Sequence, residues 1–214
     1  MNNGSIATRY SRALFEEARE QSLDRHIYDY VTMLYDNMNT VPEMQSALIS
    51  PRINIEQKFR LLLIGSGLET NTSNLKQFVE KLLAMFKSGL KDKTEKQEDR
   101  QQMPATDLYK RFLWLVLHHG RENLFRVIIL IYKDLYREYH QIDHVVFETA
   151  TEMPESIQKK VADKIHTKTG REVEMEMRVR PELIGGFCVL IGDRLYDYSY
   201  HTRLQNIRKK LWNK

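Results

Sequence analysis

Apolar residues recur at helical spacing from Ser5 to Tyr139. In this stretch they return every three or four residues, which places them along one face of a succession of α-helices. Pro42 and the pair Ser50-Pro51 interrupt the pattern, because proline lacks a backbone donor and disfavours helix in the residue before it. The pattern therefore predicts a bundle of six helices joined by short loops.

The first predicted helix is apolar on more than one side. One stripe contains Ile6, Tyr10, Ala13, Leu14 and Ala18, and a second contains Ala7, Ser11, Leu14 and Phe15. The predicted helix over residues 107–119 also carries surplus apolar surface. Two such helices predict a groove for an amphipathic partner helix, although surface of this kind more often belongs to a core. The candidate partner-binding residues are Ala7, Tyr10, Ser11, Ala13, Leu14, Phe112 and Leu115.

The periodicity changes near His144. Val173, Met175, Met177 and Val179 alternate strictly with charged residues, which predicts a strand with one buried face. The other predicted elements are a strand over 145–147, a helix from Pro154 to Gly170, strands over 184–191 and 194–199, and a final helix bearing Leu204, Ile207 and Leu211. Gly185, Gly186, Gly192 and Asp193 are expected to form the turns. The predicted fold class is mainly α, with an N-terminal six-helix bundle over residues 1–142 and a small α+β C-terminal domain over 143–214.

Residues 87–104 are dominated by mixed charges and have almost no apolar anchor. Such a segment cannot offset its ordering entropy by burial, so it is predicted to be a solvated loop or a helix extension inserted in the bundle. A docking site is the alternative.

The sequence lacks the patterns on which catalytic and metal sites are built. There are seven histidines, but the adjacent His118 and His119 would point about 100° apart on a helix and could not share one ion. There is no Gly-x-Ser-x-Gly elbow and no Walker loop. The single cysteine, Cys188, lies in an apolar run and is predicted to be a buried, inert thiol. We therefore expect no catalytic residues, no metal and no cofactor.

The formal net charge of +4 comes from the end of the chain. Residues 203–214 contain Arg203, Arg208, Lys209, Lys210 and Lys214 but no acid, so the remainder of the chain is nearly neutral. One alternative function is therefore a nucleic-acid-binding helical protein that uses Arg208, Lys209 and Lys210 with Trp212. Attachment of the same basic helix to a membrane surface is another.

Direct insertion into a bilayer is not expected. The longest apolar runs, Phe112–Leu117 and Val127–Tyr132, have six residues each, whereas a spanning helix needs about 18. Glu16, Glu17 and Glu20 near the start leave no apolar segment typical of a secretory signal. The expectation is a soluble protein of cytosolic type.

An ordered set of short motifs resembles one known family. Arg180-Pro181-Glu182-Leu183-Ile184-Gly185-Gly186-Phe187, followed by Ile191-Gly192-Asp193, Tyr196-Asp197 and Ser199, resembles the C-terminal signature of the delta subunit of F-type ATP synthase, the bacterial counterpart of the mitochondrial oligomycin-sensitivity-conferring protein. The segment from Ala7 to Glu16 is similar to that family's opening helix. Ser50-Pro51-Arg52-Ile53 with Lys58, the segment from His119 to Leu124, and Thr149-Ala150 follow in the family's order. The chain departs from the family at Arg180, usually an acid, at Tyr198, usually glycine, and in the longer segment 68–104.

The resemblance implies a non-catalytic stator subunit of the proton-translocating synthase. Members of this family join the catalytic head to the peripheral stalk. By resemblance, the N-terminal bundle holds the N-termini of the alpha subunits, and the C-terminal domain holds the b subunits. The resemblance further implies a monomer within the complex, peripheral on the cytoplasmic side of the inner (plasma) membrane, without nucleic acid and without a cofactor.

Overall fold

The computed structural model describes residues 3–69, 104–192 and 194–212. By its internal contacts the chain forms two compact units, residues 1–136 (unit 1) and residues 137–214 (unit 2). The predicted domain boundary between residues 142 and 143 lies a few residues further along the chain.

Unit 1 is helical in its described residues. Its helices are α1 (Asn3–Glu20), α2 (Asp24–Thr40), α3 (Pro42–Ile49), α4 (Ile55–Gly65), α5 (Pro104–His118) and α6 (Phe125–Tyr139), the last of which continues into the start of unit 2. The side chain of Asn54 caps α4 by accepting a hydrogen bond of 2.8 Å from the backbone N–H of Gln57. Pro42 occupies the first turn of α3, where its missing donor costs no hydrogen bond.

The predicted number of six helices refers to the whole of unit 1. One of the six is the helix that the spacing of Leu75, Phe78, Leu82 and Met85 predicts. This helix and the charged segment up to residue 103 lie outside the described residues. The number therefore stays a prediction, while the mainly helical character of the chain is confirmed.

The core of unit 1 is built from aromatic and aliphatic side chains. Its largest fully buried members are Tyr109, Tyr132, Phe125, Ile27, Leu34, Met44, Leu48, Leu61, Leu62, Ile64, Leu113 and Leu117. Helix α1 approaches α6 closely where the small Ser11 places its Oγ 2.8 Å from the backbone oxygen of Ile128. The ring of Phe15 packs edge-on against Tyr132 one turn further along, with the ring centroids 5.8 Å apart.

Unit 2 contains a four-stranded sheet with the strand order β2-β1-β3-β4. The strands are β1 (Ile142–Thr149), β2 (Glu172–Val179), β3 (Phe187–Ile191) and β4 (Arg194–Asp197). Helix α7 (Glu155–Thr169) connects the parallel pair β1 and β2, β3 is antiparallel to β1 and β4, and α8 (Tyr200–Trp212) ends the described chain.

The strand predicted from the alternation over 173–179 is confirmed as β2, although Val179 at its end is 50% exposed. Val173, Met175 and Met177 pack beneath α7 on the core formed by Val145, Phe147 and Val189. Val161 and Ile165 of α7 contact the same core, so this helix covers the β1–β2 side of one sheet face.

The strand predicted over 184–191 was placed too early, because β3 begins at Phe187. Pro181–Leu183 form a turn of 3₁₀-helix, and Ile184 follows with a φ of 65°, which is incompatible with a strand. Gly186 has a φ of 75°, and a Cβ there would collide with the backbone carbonyl of Tyr198. Gly185 lies against the ring of Tyr200, Gly192 follows β3, and Asp193 lies outside the described residues.

Candidate partner-binding surfaces

Four of the predicted partner-binding residues lie on the surface of unit 1, which we call the α1–α5 surface. They are Tyr10, Ala13, Phe112 and Leu115. Tyr10 meets Phe112 edge to face with the ring centroids 6.4 Å apart, and its ring centroid lies 6.5 Å from that of His119. Leu115 is 46% exposed, and the small Ala13 leaves space beside Tyr10. The surface therefore combines a partly buried aromatic pair with accessible apolar neighbours.

The other three predicted residues, Ala7, Ser11 and Leu14, are buried inside unit 1. Their stripe of α1 faces the bundle, where the Ser11 hydroxyl lies within hydrogen-bond distance of the backbone oxygens of Ala7 and Ile128. The small side chains bring two helices of the same unit together. A partner helix could not reach them without opening the bundle.

Sequence reasoning missed an aromatic cluster beside the α1–α5 surface. Trp114 is 44% exposed, stacks on His118 at a centroid distance of 6.4 Å, and meets Phe59 edge to face at 5.8 Å. Trp114 lies in the apolar run Phe112–Leu117, in which hydropathy alone does not distinguish exposed from buried residues.

Unit 2 contains an open groove of about 630 Å³ between α7 and strands β3 and β4, which we call the α7–β3 groove. The sheet contributes Phe147, Phe187, Val189, Ile191 and Tyr196, and Tyr198 follows directly after β4. Helix α7 contributes Val161 and Ile165 below and Lys160, Lys164, Lys168 and Thr169 along its edge. The floor is thus apolar and aromatic, while the helical rim is basic.

Helix α8 presents a second apolar stripe to solvent. Leu204, Ile207 and Leu211 are all more than half exposed, and none of the residues of α8 is buried. The guanidinium of Arg208 lies over the ring of Trp212 at 5.4 Å from its centroid. The helix is therefore amphipathic and basic, as its sequence predicted.

The start of α8 is fixed by side-chain hydrogen bonds. A carboxylate oxygen of Asp197 accepts from the backbone N–H of Ser199 at 2.8 Å, and the other accepts from the hydroxyl of Thr202 at 2.7 Å. Hydrogen bonds from Ser199 and Thr202 lower the pKa of Asp197 far below its ordinary value, because they stabilise the charged form.

Cys188 is buried, in agreement with its prediction as a packing residue. Burial raises the pKa of its thiol to about 11, so very little reactive thiolate forms near neutral pH. In the described parts of the chain, no group of three or more histidine, cysteine, aspartate or glutamate side chains is arranged to hold a metal ion. Across the same residues, no helix has the length and apolar character needed to cross a membrane.

The fold and these surfaces define a class of protein, the interaction subunit built from two compact units. Unit 1 exposes apolar and aromatic side chains at the α1–α5 surface, and unit 2 exposes them in the α7–β3 groove and on α8. Solvent-exposed apolar surface of this extent is typical of proteins that bind other proteins.

The chain belongs to the ATP synthase delta (OSCP) subunit family, whose model matches residues 6–90 and 79–211. It is 33% identical over 211 residues to ATP synthase subunit delta of Parabacteroides distasonis, covering 99% of this chain and 98% of that one. The corresponding protein of Phocaeicola vulgatus is 25% identical over 207 residues, covering 97% of this chain and 94% of the relative.

A solved structure shares the fold. A chain in the cryo-EM structure of the Toxoplasma gondii mitochondrial ATP synthase hexamer superposes with a TM-score of 0.62 over 97% of both chains, at 15% identity. Membership of the family confirms the predicted role as a non-catalytic stator subunit of the membrane-associated ATP synthase. The nucleic-acid-binding alternative finds no support in these comparisons.

Proposed function

We propose that this subunit joins the catalytic head of the synthase to its peripheral stalk through its two units. Unit 1 binds the N-terminal segments of the alpha subunits, and unit 2 binds the ends of the b subunits. The observation that supports this proposal is the presence of separate exposed apolar surfaces on two compact units of one family member. A protein with this organisation can hold two partners at once.

The α1–α5 surface suits an amphipathic helix from an alpha subunit. The Tyr10–Phe112 pair offers a rigid aromatic base, Leu115 an aliphatic contact, and Ala13 the space for a partner side chain. A helix bound in such a groove places apolar anchors at i, i+3, i+4 and i+7. Buried anchors of this kind slow dissociation more than charged residues at a rim do, which suits a joint that lasts for many turnovers.

The location follows from the same arrangement. A subunit that binds the head and the outer end of the stalk is peripheral, is present as a monomer in each complex, and lies on the cytoplasmic side of the inner (plasma) membrane. The described helices fit this peripheral location, since none could span a bilayer.

The placement of the alpha-binding site can be tested with a bulky residue on α1. We expect Ala13→Trp to abolish co-elution of the full-length subunit with the isolated catalytic head in gel filtration, because the indole fills the space beside Tyr10. Arg12→Trp is the matched control, since Arg12 is also exposed but lies about 100° around the helix from Ala13. Circular dichroism should show unchanged helicity in both variants.

These measurements test the position of the alpha-binding site separately from the proposed joining function. If Ala13→Trp co-elutes with the head as the control does, the α1–α5 surface is not the alpha-binding site. If the wild-type subunit binds neither the head nor a soluble b-subunit fragment, the proposed joining function is wrong.

A further inference from the structure

The sheet of unit 2 is covered by its own helix on only one side of one face. Helix α7 packs over β2 and β1 and the buried Val189 of β3, whereas the aromatic residues of β3 and β4 on the same face stay partly exposed. Phe187, Tyr196 and Tyr198 are 38%, 41% and 50% exposed there, and the rings of Phe187 and Tyr198 lie 5.2 Å apart. An open apolar floor beside a helix has the shape that a second helix, lying parallel or antiparallel to α7, would fill.

Three lysines follow this floor at regular intervals. Lys160, Lys164 and Lys168 are spaced by four residues, so successive side chains stand about 6 Å apart along the edge of α7. Within the described ranges, none of the three forms an ion pair with an acidic side chain. The rim is thus a row of positive charges that matches acidic residues spaced by four on a facing helix.

The charge of the rim also argues against this chain's own helix as the occupant. Helix α8 has the exposed apolar stripe that such a groove could accept, but it carries Arg203, Arg208, Lys209 and Lys210 and no acidic residue. Like charges would face each other if α8, from the same or a second copy of the chain, lay against α7. The groove therefore favours a partner of opposite charge.

We propose that the α7–β3 groove binds an amphipathic helix whose apolar face covers Phe187, Tyr196 and Tyr198 and whose acidic residues pair with the lysine row. This inference rests on the proposed function, in which that helix is the end of a b subunit. The aromatic floor supplies most of the residence time, since buried tyrosines are frequent hot spots of binding. The lysines supply the orientation and accelerate association, an effect that salt screens.

The groove offers a matched pair of variants for the aromatic floor. Tyr196 and Leu195 are neighbours on β4, both exposed, and their side chains point to opposite faces of the sheet. We expect Tyr196→Ala to weaken binding of a soluble b-subunit fragment to the full-length subunit by at least about tenfold. Leu195→Ala should change the dissociation constant by less than about twofold, and circular dichroism should show both variants folded.

A second pair tests the lysine row. Lys164 lines the groove, whereas Lys159 lies on the opposite side of the same helix, so both charge reversals change the net charge equally. We expect Lys164→Glu to weaken the same binding by about fivefold at low salt. The effect should be much smaller at 0.5 M salt, because dissolved ions screen the attraction between exposed charges. Lys159→Glu should have little effect at either salt concentration.

Each outcome decides one of the two proposals. If the b fragment binds but Tyr196→Ala and Lys164→Glu bind as tightly as their controls, the groove is not its site and the joining function stands. If the wild-type subunit does not bind the fragment at all, the b-subunit part of the proposed function is wrong, and the inference with it. If sedimentation shows that the subunit dimerises and Tyr196→Ala abolishes the dimer, the occupant is a second copy.

Discussion

Lys58 of α4 and Glu122 of the turn before α6 form an ion pair with little access to solvent. The Lys58 Nζ lies 2.8 Å from the Glu122 Oε1, and the two side chains are 6% and 17% exposed. Both residues lie in segments that carry the resemblance to the delta subunit family, although those segments are more than sixty residues apart. The pair ties α4 to the loop that orients α6, so its role is to fix the bundle.

Removing the glutamate of this pair should lower the free energy of unfolding more than replacing the lysine by an apolar residue. Glu122→Ala leaves a buried ammonium without a partner, for which we expect a loss of about 3 kcal/mol in the free energy of unfolding. Lys58→Met should cost less, because the thioether fills a similar volume and the remaining carboxylate is the more exposed partner. Urea unfolding followed by circular dichroism measures both losses.

Arg178→Ala serves as the control, since its pair with Glu176 is exposed and should contribute less than about 1 kcal/mol. Equal losses for Glu122→Ala and Arg178→Ala would show that the burial of the Lys58–Glu122 pair has no energetic consequence.

Periodicity predicted the two apolar stripes of α1 but not which of their residues reach the surface. That choice depends on how α1 packs against α6, and one determinant is the contact between Ser11 and Ile128, two residues 117 positions apart. A contact of this separation leaves no trace in local spacing. Ala7, Ser11 and Leu14 were therefore grouped with Tyr10 and Ala13, although only the latter two reach the surface.

The two single-residue departures from the family pattern, Arg180 and Tyr198, each contact a neighbouring side chain. Arg180 forms an ion pair of 2.5 Å with Glu148 of β1, so an acidic neighbour accommodates the basic side chain. Tyr198 lines the α7–β3 groove, where a glycine would leave the ring of Phe187 without this neighbour.

Helix α8 depends strongly on its cap. It buries no side chain, so its helical state rests on backbone hydrogen bonds and on the bonds that Asp197, Ser199 and Thr202 make at its first turn. A cap of this type typically contributes about 1 kcal/mol. For a helix of 13 residues, which is near the lower limit for independent stability, that contribution matters.

The cap should make α8 sensitive to acid. The pKa of Asp197 is lowered in the folded state, so its stabilising effect is complete above the unfolded value of about 3.9 and is lost progressively as the pH falls from there towards the lowered folded-state value. We expect Asp197→Asn to lower the helicity of the full chain at pH 7, measured by circular dichroism, and the difference from wild type to shrink below pH 4. Glu182→Gln removes one exposed carboxylate outside the cap and is the control. A difference that stays constant from pH 7 to pH 3 would contradict this role of Asp197.

The type of most elements could be predicted from periodicity, and the ends of some could not. The alternation over 173–179 identified β2 because one face of that strand meets a core. The start of β3 was missed because Ile184 looks like a strand residue by composition, and its positive φ follows from the turn at Pro181–Leu183. The α7–β3 groove could not be predicted, because it depends on the strand order. That order places β3 and β4 on the side of the sheet that α7 does not cover.

At the scale of the whole molecule, the two units are expected to unfold separately. Leu34 of α2 and Val145 of β1 are both fully buried, each in the core of its own unit. In a Trp212→Phe background, Trp114 of unit 1 is the remaining tryptophan and reports on that unit by fluorescence. Leu34→Ala should then lower the urea midpoint, at a cost of about 2–5 kcal/mol, while Val145→Ala should leave this midpoint unchanged. Equal shifts for both variants would mean that the chain unfolds as one cooperative unit.

The absence of buried side chains in α8 also bears on the motions of the backbone. The free energy needed to open an element locally rises with the apolar surface that the element buries. Helix α8 is therefore expected to open without the rest of unit 2. Strand β1, at the centre of the sheet, is expected to open only when the whole unit unfolds. The amide protons of α8 are thus exchangeable with solvent through brief fraying, and those of β1 through global unfolding alone. Among the described elements of unit 2, we therefore expect the amide protons of α8 to exchange much faster than those of β1.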